Sequence, residues 1–216
     1  MSFRNWVITK LKESEERDTI ENVSPLGESS IEVTSKKGKT IVVGVLDLEN
    51  ISNIDINLFC DREPKKPHIL IAKSSAIWNG NAIEYARKQN MGWGGMGLIT
   101  NAFHTETYSS IQRREFDFVE KGLARHTRVV RLERLFDRVF RIHRSGNLPP
   151  FTIALVDSYE MTGEAVQNAF DKYGKFDGIL NTNPNGNSTG RAYSAAESIS
   201  AEIFVWRTLL GRLNKR

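Results

Sequence analysis

The chain of 216 residues is 39% hydrophobic and 26% charged, the balance of an ordinary globule of one large or two small domains. A net charge of +4 and an isoelectric point near 9.2 admit a nucleic-acid or acidic partner without demanding one. The single Cys60 excludes an intrachain disulfide framework, and no run of about 18 apolar residues offers a membrane span. The first residues, MSFRNWVITKLKE, lack the apolar core and small-residue cleavage site of a signal peptide, so a reducing, cytoplasmic location is expected.

Phe3, Trp6, Val7 and Leu11 recur at helical spacing and predict a short first helix. Beyond the charged run ESEERD, residues 19–23 and 30–34 read as strands, with turns at Pro25-Leu26-Gly27 and Lys37-Gly38-Lys39. Residues 40–46 (TIVVGVL) form a β-branched apolar run, the signature of a central strand buried on both faces. A helix over 52–59, a buried strand over 68–72, a helix over 79–89, a short strand over 91–96 and a helical turn over 98–103 follow. The polar stretch HTETYSS at 104–110 marks a boundary, giving two units at 1–107 and 108–216.

The second unit opens with a helix over 114–125, whose Phe118, Val119 and Leu123 echo Trp6, Val7 and Leu11. In TRVVRLERLFDRVFRIHR, Val129, Leu132, Leu135, Phe136, Val139 and Phe140 fit one helix face. The matching first-half segment contains Pro25 and Gly27 and cannot be one helix. A hairpin is therefore expected, with strands at 129–133 and 139–143 turning through Leu135-Phe136-Asp137. From 151 onward the chain alternates: strand FTIALVD, helix 162–173, strand GIL, helix 190–198, strand 201–205, helix 208–213. Such alternation produces parallel strands with helical crossovers.

A shift of 110 residues lays Asp157 on Asp47, Asp171 on Asp61, Lys175 on Lys65, Ile179 on Ile69, Leu180 on Leu70, Gly190 on Gly80, Ala192 on Ala82 and Ala196 on Ala86. The register runs without a gap from Val43/Ile153 to Phe103/Leu213. The fold expected is α/β, a tandem duplication of an α-β-β-β-α-β-α-β-α unit with mixed, largely parallel sheets, restriction-endonuclease-like or Rossmann-like.

The opening α-β-β-β-α-β order of each half resembles the core of the PD-(D/E)xK restriction-endonuclease-like fold. That resemblance implies an acid near the second strand and E-x-K on the third, where carboxylates hold a divalent metal and the lysine helps activate water. The third strands here, TIVVGVLD and FTIALVD, carry no E-x-K, and Asp137 stands without a partner set. Both halves therefore read as catalytically silent nucleases. No cofactor is named: Gly92-Trp93-Gly94-Gly95-Met96-Gly97 matches G-x-G-x-x-G but follows a helix rather than opening one, and His68, His104, His126 and His143 lack metal spacing.

Two features carry the functional expectation. Ten basic residues against five acids lie between Arg113 and Arg144; Arg125, Arg128, Arg131, Arg134, Arg138 and Arg141 are the candidates for phosphate contacts in a non-catalytic nucleic-acid-binding or regulatory protein. The second feature is the loop FDGILNTNPNGNSTG. There Asn181, Asn183, Asn185, Ser188 and Thr189 are expected to share a cleft with Asp157 and Glu160, and Ser188 or Thr189 to cap the next helix. That arrangement would make the 181–190 loop the site of a sensor or enzyme for a small nucleotide or sugar-like ligand. A protein partner docking on the duplicated face is the third reading.

Overall fold

The computed structural model describes residues 1–13 and 19–215, so most of the acidic run lies outside the described residues. By chain contacts the protein divides into two compact units, Met1–Arg113 and Arg114–Arg216.

The first unit begins with α1 (Phe3–Glu13), which buries Val7 and Leu11 and leaves Trp6 exposed, stacked on Phe3 at 5.7 Å. An antiparallel meander follows: β1 (Ile20–Pro25), β2 (Ser30–Ser35) and β3 (Thr40–Leu46). The chain then crosses through β4 (Asn50–Ile51) and α2 (Asn53–Arg62) to β5 (Ile69–Ala72), and through β6 (Ile77–Trp78) and α3 (Gly80–Lys88) to β7 (Gly92–Gly94). Ser52 starts α2 with a capping box: its hydroxyl accepts from Asp55 N, while the Asp55 carboxylate accepts from Ser52 N at 2.8 Å. The sheet order is β1-β2-β3-β5-β7, with β3-β5 and β5-β7 parallel. Short 3-10 turns at Met96–Leu98, Thr100–His104 and Tyr108–Ser110 close the unit.

The second unit repeats this order. It comprises α4 (Arg114–Ala124), β8 (Val129–Phe136), β9 (Val139–Arg144), β10 (Phe151–Val156), β11 (Glu160–Met161), α5 (Gly163–Tyr173), β12 (Gly178–Asn181), β13 (Asn187–Ser188), α6 (Gly190–Ser198), β14 (Glu202–Phe204) and α7 (Trp206–Arg212). Its sheet order, β8-β9-β10-β12-β14, matches the first. The ribbons β4-β6 and β11-β13 are parallel as well, so the sheets are mixed and the α/β class holds. The hairpin wins over the helix: Leu132 pairs with Ile142 and Arg134 with Phe140, and the turn lies at Asp137-Arg138, two residues beyond the expected start.

Each sheet is covered on both faces. In the first unit Val43, Ile69 and Ile71 pack with Val7 and Leu11 of α1, whereas Gly44 lies under Phe59 of α2 and beside Leu70. In the second unit Ala154 and Ile179 pack with Val166 of α5 and Ala192 and Ala196 of α6. These faces expose an error in the gapless register. Ile69 lies on the α1 side of its sheet, but Ile179 lies on the α5/α6 side of its own. The ladders agree: Val43 pairs with Ile69, whereas Ile153 pairs with Gly178. Over β12 the correspondence is 109 residues, so Gly178 takes the place of Ile69 and Asn181 that of Ala72. It returns to 110 at β13, where Asn187-Ser188 takes the place of Ile77-Trp78. The residue gained falls in the asparagine loop. A one-residue slip reverses every side chain of a strand, which is why two matching identities pointed to the wrong faces.

Candidate nucleic-acid interface

The asparagine loop is built around Asn181. Its side chain is buried, and its amide closes the loop on itself. Nδ2 donates to the Ser158 carbonyl (3.0 Å) and the Asn187 carbonyl (3.3 Å), while Oδ1 accepts from Asn183 N (3.2 Å) and Ser158 N (3.4 Å). Asn183 Oδ1 accepts from Asn185 N at 3.0 Å in an Asx turn. A Cβ at Gly186 would collide with the Ser158 carbonyl and the Asn181 amide, so this close approach requires glycine. Thr189 caps α6 by accepting from Ala192 N at 3.2 Å, and Ser188 lies in β13 beside Met161. Much of the polarity that suggested a ligand is consumed by the loop's own backbone.

The acids do not line the cleft that opens beside the loop. Asp157 and Glu160 are exposed, and Glu160 sits in β11 opposite Asn187. A cleft of about 350 Å³ does open beside the loop, past the carboxyl ends of β12 and β14, where α/β sheets bind ligands. Its lining includes Asn181, Thr182, Asn183 and Pro184, but not Asp157, Glu160, Asn185 or Thr189. The remaining wall is apolar: Phe118 and Val119 of α4, Leu180, Val205 and Trp206, with Arg207 at its edge. Phe118 is 59% exposed and Val205 46%, and the Phe118 and Trp206 rings lie 5.0 Å apart, tilted by 51°. A side chain at Gly122 would strike the Trp206 indole, so the bare backbone of α4 is what lets the indole lie against it.

The arginines divide into two classes. Arg138 donates to both oxygens of Glu115 at 2.9 and 3.3 Å and lies over the Phe116 ring; Glu115 also accepts from the Thr182 hydroxyl at 2.6 Å. Arg134, 6% exposed in its side chain, sits 4.5 Å over Phe140 and 5.2 Å over Phe116, with Glu120 at 4.0 Å. Both are scaffold and are withdrawn from the phosphate-contact set, because their guanidiniums are committed to half-buried carboxylates and to the buried Phe116 and Phe140 rings. Arg144 is likewise buried, donating to the Pro149 and Lys215 carbonyls. Asp137 is buried too, accepting from Tyr173 Oη at 3.3 Å, which leaves it no part in a nuclease-like acid set. Arg125, Arg128, Arg131 and Arg141 are exposed. Arg131 contacts His143, and the His143 ring meets Glu133 at 3.0 Å. That hydrogen bond, aided by the charges of Arg131 and Arg141, holds the Glu133 carboxyl below its ordinary range, against the upward push of burial.

α4 buries Phe116, Val119 and Leu123 and turns Phe118 outward, as α1 does Trp6. Arg114, Phe118, Lys121 and Arg125 are all exposed, and at 3.6 residues per turn they fall within an arc of about 60°. Lys121 is paired with Asp117 at 2.7 Å, an exposed i,i+4 bond of little strength. The signal that could have found this stripe was the i, i+4, i+7, i+11 spacing of Arg114, Phe118, Lys121 and Arg125. Among the described residues no three His, Cys, Asp or Glu side chains cluster as metal ligands. No helix among them is long and apolar enough to cross a membrane. No protein-family model, curated protein or solved structure matches the chain.

Proposed function

We propose that the second unit is a non-catalytic nucleic-acid-binding module, in a chain that arose by tandem duplication of a nuclease-like α/β unit. The observation that carries this reading is the exposed stripe of α4, where Arg114, Lys121 and Arg125 flank an outward Phe118. Arg207 next to Trp206 adds to it, as do Arg128, Arg131 and Arg141 on and beside the β8-β9 hairpin. Exposed guanidiniums supply sequence-independent phosphate contacts, and an aromatic among them supplies a stacking surface. The matching element order of the halves supports duplication. The buried apolar third strands, β3 and β10, support loss of nuclease chemistry, because no carboxylate or lysine stands on either.

The small-ligand reading of the 181–190 loop is weaker, since its acids are not part of the cleft lining and its key amide is spent on backbone. A mobility-shift titration of the full chain at low salt tests the reading. Arg114→Ala combined with Arg125→Ala is expected to weaken binding across sequences alike, whereas Arg114→Lys combined with Arg125→Lys retains most of it. Absence of binding to any single- or double-stranded polymer would remove the proposal.

A further inference from the structure

The stripe on α4 explains attraction to phosphate but not the cleft beside it. Resting on the nucleic-acid reading, we infer that the cleft between α4, the end of β12 and the start of α7 receives one unstacked base, which makes the module selective for single strands. The cleft's volume of about 350 Å³ lies at the small end of ligand pockets. Its walls suit a flat, partly apolar body: Leu180 and Val119 are buried, and Phe118 and Trp206 present tilted rings. The indole is held in place by Gly122, so the platform is built before any ligand arrives.

Polar groups lie where a base edge would need them. Asn183 Oδ1 is taken by Asn185 N, which leaves Nδ2 as the donor that this side chain offers to a ring nitrogen or carbonyl oxygen. The Thr182 hydroxyl is committed to Glu115, so it fixes the wall rather than reading the ligand. Arg207 at the edge and the α4 stripe provide cations for the flanking phosphates, and no carboxylate lines the cleft to repel them. A base within a duplex is stacked and paired and cannot reach such a site without being flipped out, whereas a single strand offers its bases freely. The asparagine loop then has a purpose: the extra residue and the Asn181 hub hold Thr182, Asn183 and Pro184 along the cleft wall.

The test compares fluorescence-anisotropy titrations of the full chain with a labelled single-stranded oligonucleotide and with the duplex of the same sequence, at one low salt concentration. The expected result is a preference for the single strand on the order of tenfold or more, lost in Phe118→Ala. Phe118 is exposed, so this variant should fold; Val205→Phe, which fills the cleft from an exposed position, provides a second route. Thermal melts of both variants confirm folding. Equal affinity for single strand and duplex, or variants that keep the single-strand preference, would overturn the base site and leave the phosphate surface standing. No binding of either polymer would overturn both.

Discussion

Replacing Arg138 by Met separates scaffold arginines from contact arginines. The change removes two hydrogen bonds to Glu115, at 2.9 and 3.3 Å, and the guanidinium over the Phe116 ring, while keeping an unbranched stem of similar length. Glu115 is then left 14% exposed in its side chain, with the Thr182 hydroxyl as its remaining described hydrogen bond. Removing one partner of a fully buried pair costs about 3–5 kcal/mol, and an exposed pair contributes about 0–1 kcal/mol. Side chains 20% and 14% exposed, with one bond surviving, place this pair nearer the buried limit, at about 2–3 kcal/mol. Urea unfolding of the full chain, read by hydrogen exchange of α4 and β10 amides, measures the loss. Adding Glu115→Gln is expected to recover about 1 kcal/mol, because a neutral amide is cheaper to leave in that place. A loss below about 0.5 kcal/mol would refute the scaffold assignment, as would intact stability with nucleic-acid binding abolished.

Asn181→Ala deletes an amide that no other group replaces, so the backbone of Ser158 and Asn187 loses its partner. Destabilisation of about 1–3 kcal/mol is expected, with fast amide exchange confined to 182–188. Gly122→Val pushes the Trp206 indole off α4; near-ultraviolet circular dichroism should change, with a cost of about 1–3 kcal/mol for the overpacking. His68 gives a pH signature. Burial pushes its imidazole below the ordinary 6.5, with the Lys39 charge lowering and Glu106 raising it, and its Nδ1 accepts from Val42 N at 2.8 Å. The folded state thus binds fewer protons than the unfolded one below pH 6.5. Stability should therefore fall as pH drops from 6.5 through the folded value. Melts across that range should show this slope in the native protein and a shallower one in His68→Gln.

The parts of this architecture that were legible in the sequence were those where one pattern had no competitor. TIVVGVL and FTIALV are strands because β-branched and apolar residues fill every position, and Ser52 and Thr162 announce helix starts by their side-chain chemistry. The β8-β9 segment carried a helical period and became a hairpin because cross-strand pairing overrode it. Strand register was misread because Ile-Leu matches Ile-Leu whichever face each occupies, and only packing tells them apart. The site was harder still. An arginine's type does not say whether an aromatic ring or a solvent layer lies beneath it, so Arg134 and Arg138 looked like Arg125 and Arg141. Four asparagines looked like ligand groups because the sequence does not show that Asn181 turns inward to hold its neighbours.

The salt dependence of binding reports directly on phosphate contacts by the α4 stripe. Anisotropy titrations with a single-stranded oligonucleotide, repeated at increasing salt, give log K against log of salt concentration for the native chain and for Arg114→Ala/Arg125→Ala/Arg207→Ala. A falling line is expected in the native chain, becoming shallower by about 0.7 for each arginine removed, or about 2 in all. A line of unchanged slope in the triple variant, or no binding at low salt in the native chain, would contradict those contacts.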